Sequence, residues 1–441
     1  RWGFFPSFSA GWNVSREPFW RDLEHIVNNF KIRGSWGELG NCNTTAFYPF
    51  YQTMPTGVEN SGWLINGKKP NTASAPGIVS AEMTWETVRS WNIGFDFGLL
   101  NNRLTGSFDY FVRNTLDMIG PAPQLPATLG ATVPKVNNAD MKAWGFEVEV
   151  SWRDRIKDFN YGVKFVLSDD QRKVTRYPNE ELNRNQWYAG RMDGLVWGYE
   201  TVGIAKTDAE MEAHLASLPN GGQSQLGSKW AAGDIMYKDL NGDGKISSGD
   251  GTLNDLGDLK VVANTQLRFK YGLTLDASWK GFDFSAFFQG VGKRDVVVGG
   301  PYFWGANGQG MWQAAAFKDH MDYFRPEDTE SVFGPNVDAY YPRVIFGGGS
   351  SEGGKNTLTQ SRYVQNGAYI RLKNLQLGYT LPSTITKKFA VNSLRVYVSG
   401  DNLWTGTKMR VFDPEVLGST GDAGKAYPLA RVWSVGLNVN F

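Results

Sequence analysis

Three features of the 441-residue sequence predict an all-β fold: a transmembrane antiparallel β-barrel with long loops on one side. Several segments alternate apolar and polar residues with a period of two, as strands with one apolar and one wet face do. These segments approach the ~9–11 residues a tilted strand needs to cross a bilayer, and Trp and Tyr recur at their ends, where an interfacial girdle holds them. The connections between them are alternately short and long, matching periplasmic turns and extracellular loops. No apolar run approaches the ~18 residues of a membrane helix. The opening "RWGFFPSFSAGW" lacks the charged-then-apolar layout of a leader peptide.

The expected elements follow in chain order. Strands are placed near 4–14 and 31–38, then at 90–99, where Trp91, Ile93, Phe95, Phe97 and Leu99 alternate with Asn92, Gly94, Asp96 and Gly98. In 103–113, Leu104, Phe108, Tyr110 and Val112 alternate with Thr105, Ser107, Asp109 and Arg113. In 144–154, Trp144, Phe146, Val148, Val150 and Trp152 face away from Gly145, Glu147, Glu149 and Ser151, so Glu147 and Glu149 read as lumen-lining charge. Further strands are expected near 159–168, 267–279, 282–292, 365–380, 393–404 and 429–441. The last alternates from Trp433 through Val435, Leu437 and Val439 to Phe441, and a terminal aromatic resembles the assembly signal of bacterial outer-membrane barrels. Segments 100–103, 153–158 and 280–281 are the short turns; 39–84, 114–140, 169–262, 293–360 and 405–428 are the long outward loops. The count is eleven, whereas single-chain bacterial barrels have an even number of strands. The chain is therefore expected to be the C-terminal part of a larger barrel.

Composition agrees with many strands and turns: aromatics make up 14 % and glycines number 52, well above average usage for glycine. A net charge of +1 gives no electrostatic case for nucleic acid. Cys42 alone cannot form an internal disulfide. His25, His214 and His320 are scattered without metal-ligand spacing, and no nucleophile, base or metal constellation of an enzyme is present. The run Gly347 to Gly349, followed by Ser350, Ser351, Glu352, Gly353 and Gly354, lacks the Gly-Lys-Ser/Thr ending of a phosphate loop and reads as a loop.

Within loop 169–262, "DLNGDGKISSGD" matches a calcium-loop template. Asp239, Asn241 and Asp243 fill positions one, three and five, Gly244 the turn at six, Lys245 the carbonyl at seven and Asp250 position twelve. The match departs in having Asp rather than a bidentate Glu at twelve and no helices of EF-hand character, so a weak, structural Ca²⁺ site is expected. The plainer alternative is a set of Asx turns, in which Asp and Asn bond their own backbone. Asp234, Asp255 and Asp258 read as nearby solvated carboxylates. The same loop carries "KTDAEMEAHLASLP", where Thr207 and Glu210 match a capping box and Met211, Leu215 and Leu218 share a face expected to pack within the loop. Loop aromatics Tyr48, Tyr51, Trp63, Trp187, Tyr188, Trp304, Trp312 and Tyr323 could stack on sugar rings, though loop-core packing is the plainer use of each.

Across nearly its whole length the chain resembles the SusC/RagA family of TonB-dependent outer-membrane transporters. The matching blocks are "RWGFFPSFSAGWNVSREPFW", "KIRGSWGELGN", "WETVRSWNIGFDFGLLNNRLTGSFDYFVRNTLDMI", "NNADMKAWGFEVEVSW", "GDIMYKDLNGDGKISSGD", "YIRLKNLQLGYTLP" and "DPEV" after "GDNLW". The resemblance implies a 22-stranded barrel with an N-terminal plug, energised through TonB and capped outside by a SusD-like lipoprotein. Plug, TonB-contacting segment and the earlier strands would lie upstream. The implied function is active import of an oligosaccharide or peptide across the bacterial outer membrane. The competing class is a calcium-dependent surface-binding or adhesion β-protein without transport.

Overall fold

The computed structural model describes residues 2–42, 51–58, 64–73, 76–80, 83–121, 133–307, 316–346, 351–417 and 427–441. Eleven strands form a single antiparallel sheet whose spatial order is their sequence order. They are β1 (Ser7–Asn13), β2 (Val27–Asn41), β3 (Glu86–Leu99), β4 (Leu104–Ile119), β5 (Asn137–Ile156) and β6 (Phe159–Arg176). The sheet continues through β7 (Arg268–Trp279), β8 (Phe282–Lys293), β9 (Tyr369–Thr380), β10 (Ser393–Thr407) and β11 (Val432–Asn440).

All eleven expected strands are present, but several run further than their alternation. β4 continues to Ile119, β5 begins at Asn137 and β6 reaches Arg176. The end of β6 reads Asp169-Asp170-Gln171-Arg172-Lys173, polar on both faces. Ladder hydrogen bonds continue past the alternating stretch there, so periodicity fades before the strand does. The β5–β6 turn is correspondingly shorter than expected, because Arg153 to Ile156 stay in register with Gly162 to Phe159. Lys157, with φ 56°, and the pair Lys280 and Gly281, with φ 44° and 92°, adopt the left-handed backbone that tight hairpins require.

Register sets the two faces. One row links Ile32, Phe95, Phe108, Val148, Leu167, Tyr271, Gly290 and Ile370 across eight neighbouring strands. The next links Lys31, Asp96, Ser107, Glu149, Val166, Gly272, Gln289 and Arg371. A one-residue slip would exchange these rows, so the pattern itself pins the register. Phe95 stacks on Phe108 at 5.4 Å, yet Ile93 is 58 % exposed, so this apolar face is not covered by the rest of the chain. Gly290 is needed in its row because the Tyr271 ring lies over it. A Cβ there would come within 2.3 Å of that ring, whose hydroxyl donates to the Tyr369 carbonyl at 3.2 Å.

The main buried apolar core lies beyond the sheet. Tyr199, Ile204, Ile235, Tyr237 and Ile246 from one long connection pack with Phe303, Trp304, Phe324, Tyr341 and Tyr363 from another, and with Met409 and Leu417 from a third. These outward segments fold as one body over one end of the strands. Among the described residues no helix is long and apolar enough to cross a membrane.

Candidate functional site

Backbone pairing joins the outward segments. Leu195–Tyr199 pairs with Leu259–Asn264, and Thr201–Ile204 with Ile235–Tyr237. The Tyr199 amide donates to the Thr359 carbonyl at 2.9 Å, tying two loops together. At their junction Lys355 and Asp234, both fully buried, form an ion pair of 3.0 Å. Asp234 also accepts both Arg343 donors at 2.7 and 2.8 Å and the Asn356 amide at 2.8 Å. Lys355 donates to the Ser228 and Lys229 carbonyls, and its ammonium lies 4.6 Å over the Trp230 ring. Burial of two charges is tolerated here because every donor and acceptor finds a partner.

The helix over Asp208–Ala216, α1, forms as expected. The Thr207 side chain accepts from the Glu210 amide at 3.2 Å, while the Glu210 carboxylate reaches back to the Lys206 amide at 2.6 Å. Met211 is fully buried against Ala205 and Met236, with Leu215 beside it, so the stripe packs within the outer body.

The Asp239–Asp250 loop is folded by its own side chains. Asp239 accepts from the Gly242 and Gly244 amides at 2.6 and 2.9 Å, Asn241 from the Asp243 amide at 3.0 Å and Asp243 from the Lys245 amide at 3.1 Å. The backbone bonds hold the Asp239 carboxyl below its ordinary range, although partial burial opposes them. Asp250 turns to the Thr252 amide at 2.7 Å, which likewise lowers it. The Lys245 ammonium lies 3.8 Å from Asp243, whereas a bound cation would repel it. Among the described residues no three His, Cys, Asp or Glu side chains converge on one point. An ionised carboxylate has about four lone-pair sites, so each of these acids keeps acceptor capacity beyond its backbone bonds. The donor chemistry thus suits a hard cation, and the convergence of Asp250 is the missing step.

Two acids expected to be solvated are not. Asp234 is the centre of the buried ion cluster, and Asp258, also fully buried, accepts from the Leu240 and Ser247 amides at 2.7 Å each. Burial raises the Asp258 carboxyl above its ordinary range, and the nearby Asp239 charge adds to that. Asp258 therefore clamps both ends of the candidate loop. Sequence spacing carries no sign of this, because a buried and a solvated Asp look alike in a loop.

Of the singled-out aromatics, Trp304 and Tyr323 belong to the outer core, Trp304 packing on Tyr363 at 4.6 Å. Trp187 is part-exposed beside Tyr177, and Tyr188 lies near Arg191. Tyr51 is exposed. Tyr48, Trp63 and Trp312 lie outside the described residues, as do 347–350 of the glycine run; Ser351–Gly354 form a helical turn.

The polar face of the sheet is laced with charge pairs. Arg33 meets Asp109 through two bonds of 2.6 and 2.5 Å and Asp96 at 3.2 Å. Glu149, expected on this face, pairs with Lys164 at 2.8 Å, and Glu147 stands in register between Asp109 and Ser168. Arg395 grips Asp283. Pairs this exposed contribute at most about 1 kcal/mol each. They keep the face wet while leaving it close to neutral.

A model of the family described as TonB dependent receptor-like, beta-barrel matches residues 1–403. The chain is 27 % identical over 465 residues to TonB-dependent receptor P3 of Formosa agariphila, covering all of this chain and 42 % of that protein. It is 24 % identical over 446 residues to TonB-dependent receptor SusC of Bacteroides thetaiotaomicron, covering all of this chain and 40 % of SusC. The structure of the RagAB peptide transporter aligns with 99 % of this chain and 43 % of its own, at 21 % identity and a TM-score of 0.71. The chain thus spans about two-fifths of the length of these relatives.

Proposed function

Because the chain belongs to the TonB-dependent receptor β-barrel family and is similar to SusC and to the RagAB transporter, we propose that it forms the barrel wall and outer mouth of an importer of bulky nutrients. The family is one of outer-membrane receptors and transporters rather than enzymes. In that membrane the apolar rows face lipid and the charge-laced rows face the interior. The observation that carries the proposal is the co-folded outer body, built from three long loops and standing over one end of the strands. A wall of paired charges passes polar cargo without holding it, and a rigid outer body gives cargo or a partner a defined surface.

The finer parts of the proposal are an oligosaccharide or peptide as cargo, energy delivered through TonB, and a SusD-like surface lipoprotein seated on the outer body. A calcium ion held by Asp239, Asn241, Asp243, the Lys245 carbonyl and Asp250 is proposed as a structural pin of the outer body. It would supply charge neutralisation there and no chemistry. The test is uptake of fluorescent oligosaccharides and peptides by cells expressing the intact protein. Uptake that stops when the proton gradient is collapsed supports active import; unchanged uptake points to a passive pore and contradicts it.

A further inference from the structure

A cavity of about 530 Å³ lies on the polar face at the outer end of β6 to β9, beneath residues 413–417. That segment is strapped to the wall by two buried guanidinium groups. Arg371, 3 % exposed, meets Asp413 at 2.6 Å and Glu415 at 2.7 Å. Arg294, 5 % exposed, donates to the Pro414 and Leu417 carbonyls at 2.9 and 2.6 Å. Lys373, bulged out of register, adds a second cation to Glu415 at 2.8 Å. These charge-assisted bonds offset the desolvation of both arginines and fix the strap as a roof.

The floor of this cavity departs from the rest of its face. Val166, Leu267, Phe287 and Val291 line it, under Pro414 of the strap. Phe287 stands in register with Thr274 and Asn374 and remains 37 % exposed, an aromatic ring on the polar side. The charged groups at the rim are already engaged. Lys270 pairs with Asp170 at 2.9 Å, Glu415 with Arg371 and Lys373, and Arg294 with its two carbonyls. Ser168, Thr265 and Gln289 also line the cavity, but most of its surface is apolar, so the many hydroxyls of a sugar would exchange water for few partners. An aliphatic or aromatic side chain loses nothing on entering and gains by burial.

We infer that this strapped cavity is a subsite for an apolar side chain of a peptide in transit. The inference rests on the import reading and narrows its cargo. Burying a Phe side chain against the floor is expected to tighten binding about tenfold or more.

The test uses the intact protein in detergent micelles and calorimetric titration with three probes. These are the pentapeptide Gly-Gly-Phe-Gly-Gly, its all-glycine counterpart, and maltopentaose. The Phe peptide should bind at least about tenfold tighter than the glycine one. Phe287→Ala and Leu267→Asn should each remove most of that preference and leave maltopentaose titrations unchanged. Both side chains are part-exposed, and heat-modifiable mobility checks that each variant folds. Equal binding of the two peptides, binding of neither, or loss of maltopentaose binding in Phe287→Ala overturns the subsite. Uptake in the same strains separates the two claims. Gradient-dependent uptake without the peptide preference removes the subsite alone, whereas the preference with gradient-independent uptake removes active import.

Discussion

Replacing Asp234 by Ala removes the central acceptor of the outer body. Asp234 and Lys355 are both fully buried and 3.0 Å apart. Arg343, whose side chain is 31 % exposed, can turn to water when the carboxylate goes; Lys355 cannot. Its ammonium keeps the Ser228 and Lys229 carbonyls, Glu352 and the Trp230 ring. Breaking a buried pair by removing one partner costs about 3–5 kcal/mol, and the surviving Glu352 contact favours the lower end. Because the cluster joins loops rather than strands, the loss is local. Amide exchange around 228–237 and 355–360 should quicken by about two powers of ten, with β3 to β6 unchanged. Exchange mass spectrometry on the detergent-solubilised protein reads both regions at once. Asp234→Leu combined with Lys355→Met should restore much of the protection, since no buried charge is then left unpaired. Uniform acceleration across the strands, or none in the outer body, refutes the reasoning.

Phe95→Arg should cost about 2–4 kcal/mol near mid-bilayer, measured as loss of folded, heat-modifiable protein, while Asp96→Asn on the opposite face should be mild; equal damage would contradict the assignment of faces. Acidification should loosen the outer body. Bonds from Lys260 to Glu200, and from Ser228 and then Lys355 to Glu352, hold both carboxyls below their ordinary range. Their stabilisation is complete above the unfolded value of about 4.3 and is lost as pH falls through the lower folded values. Asp258, raised by burial, acts in the opposite sense: its contribution is present at low pH and lost as pH rises above the unfolded range. Limited proteolysis of the outer body should therefore accelerate below about pH 4, and Glu352→Gln should flatten that response; a pH-independent cleavage rate argues against it. Asp243→Ala should abolish calcium protection of segment 233–258 from proteases without unfolding the barrel, and calcium-insensitive cleavage of the wild-type protein would remove the metal.

The sheet was legible because period-two alternation is imposed by two solvents, lipid on one side and water on the other. Phe95 and Asp96 declare their faces without any knowledge of their neighbours. Alternation stops where lipid stops, which is why the strand ends at Ile119 and Arg176 were not visible. Local motifs were also legible: the Thr207 cap and the Met211 stripe depend only on residues within a turn or two. The outer body was not. Lys355 and Asp234 are 121 positions apart, and nothing near either marks it as buried. The strap of Asp413 and Glu415 on Arg371 is hidden for the same reason, since its partners come from a strand and a distant loop.

Nitroxide labels placed singly at 93, 94, 95 and 96 of β3, in a Cys42→Ser background and reconstituted into lipid, test the barrel wall directly. A wall with lipid on one face and water on the other predicts strong collision with dissolved oxygen at 93 and 95. At 94 and 96, collision with a water-soluble nickel chelate should dominate instead. Nickel access that is equal at all four positions would contradict a membrane-spanning strand and the transporter built on it.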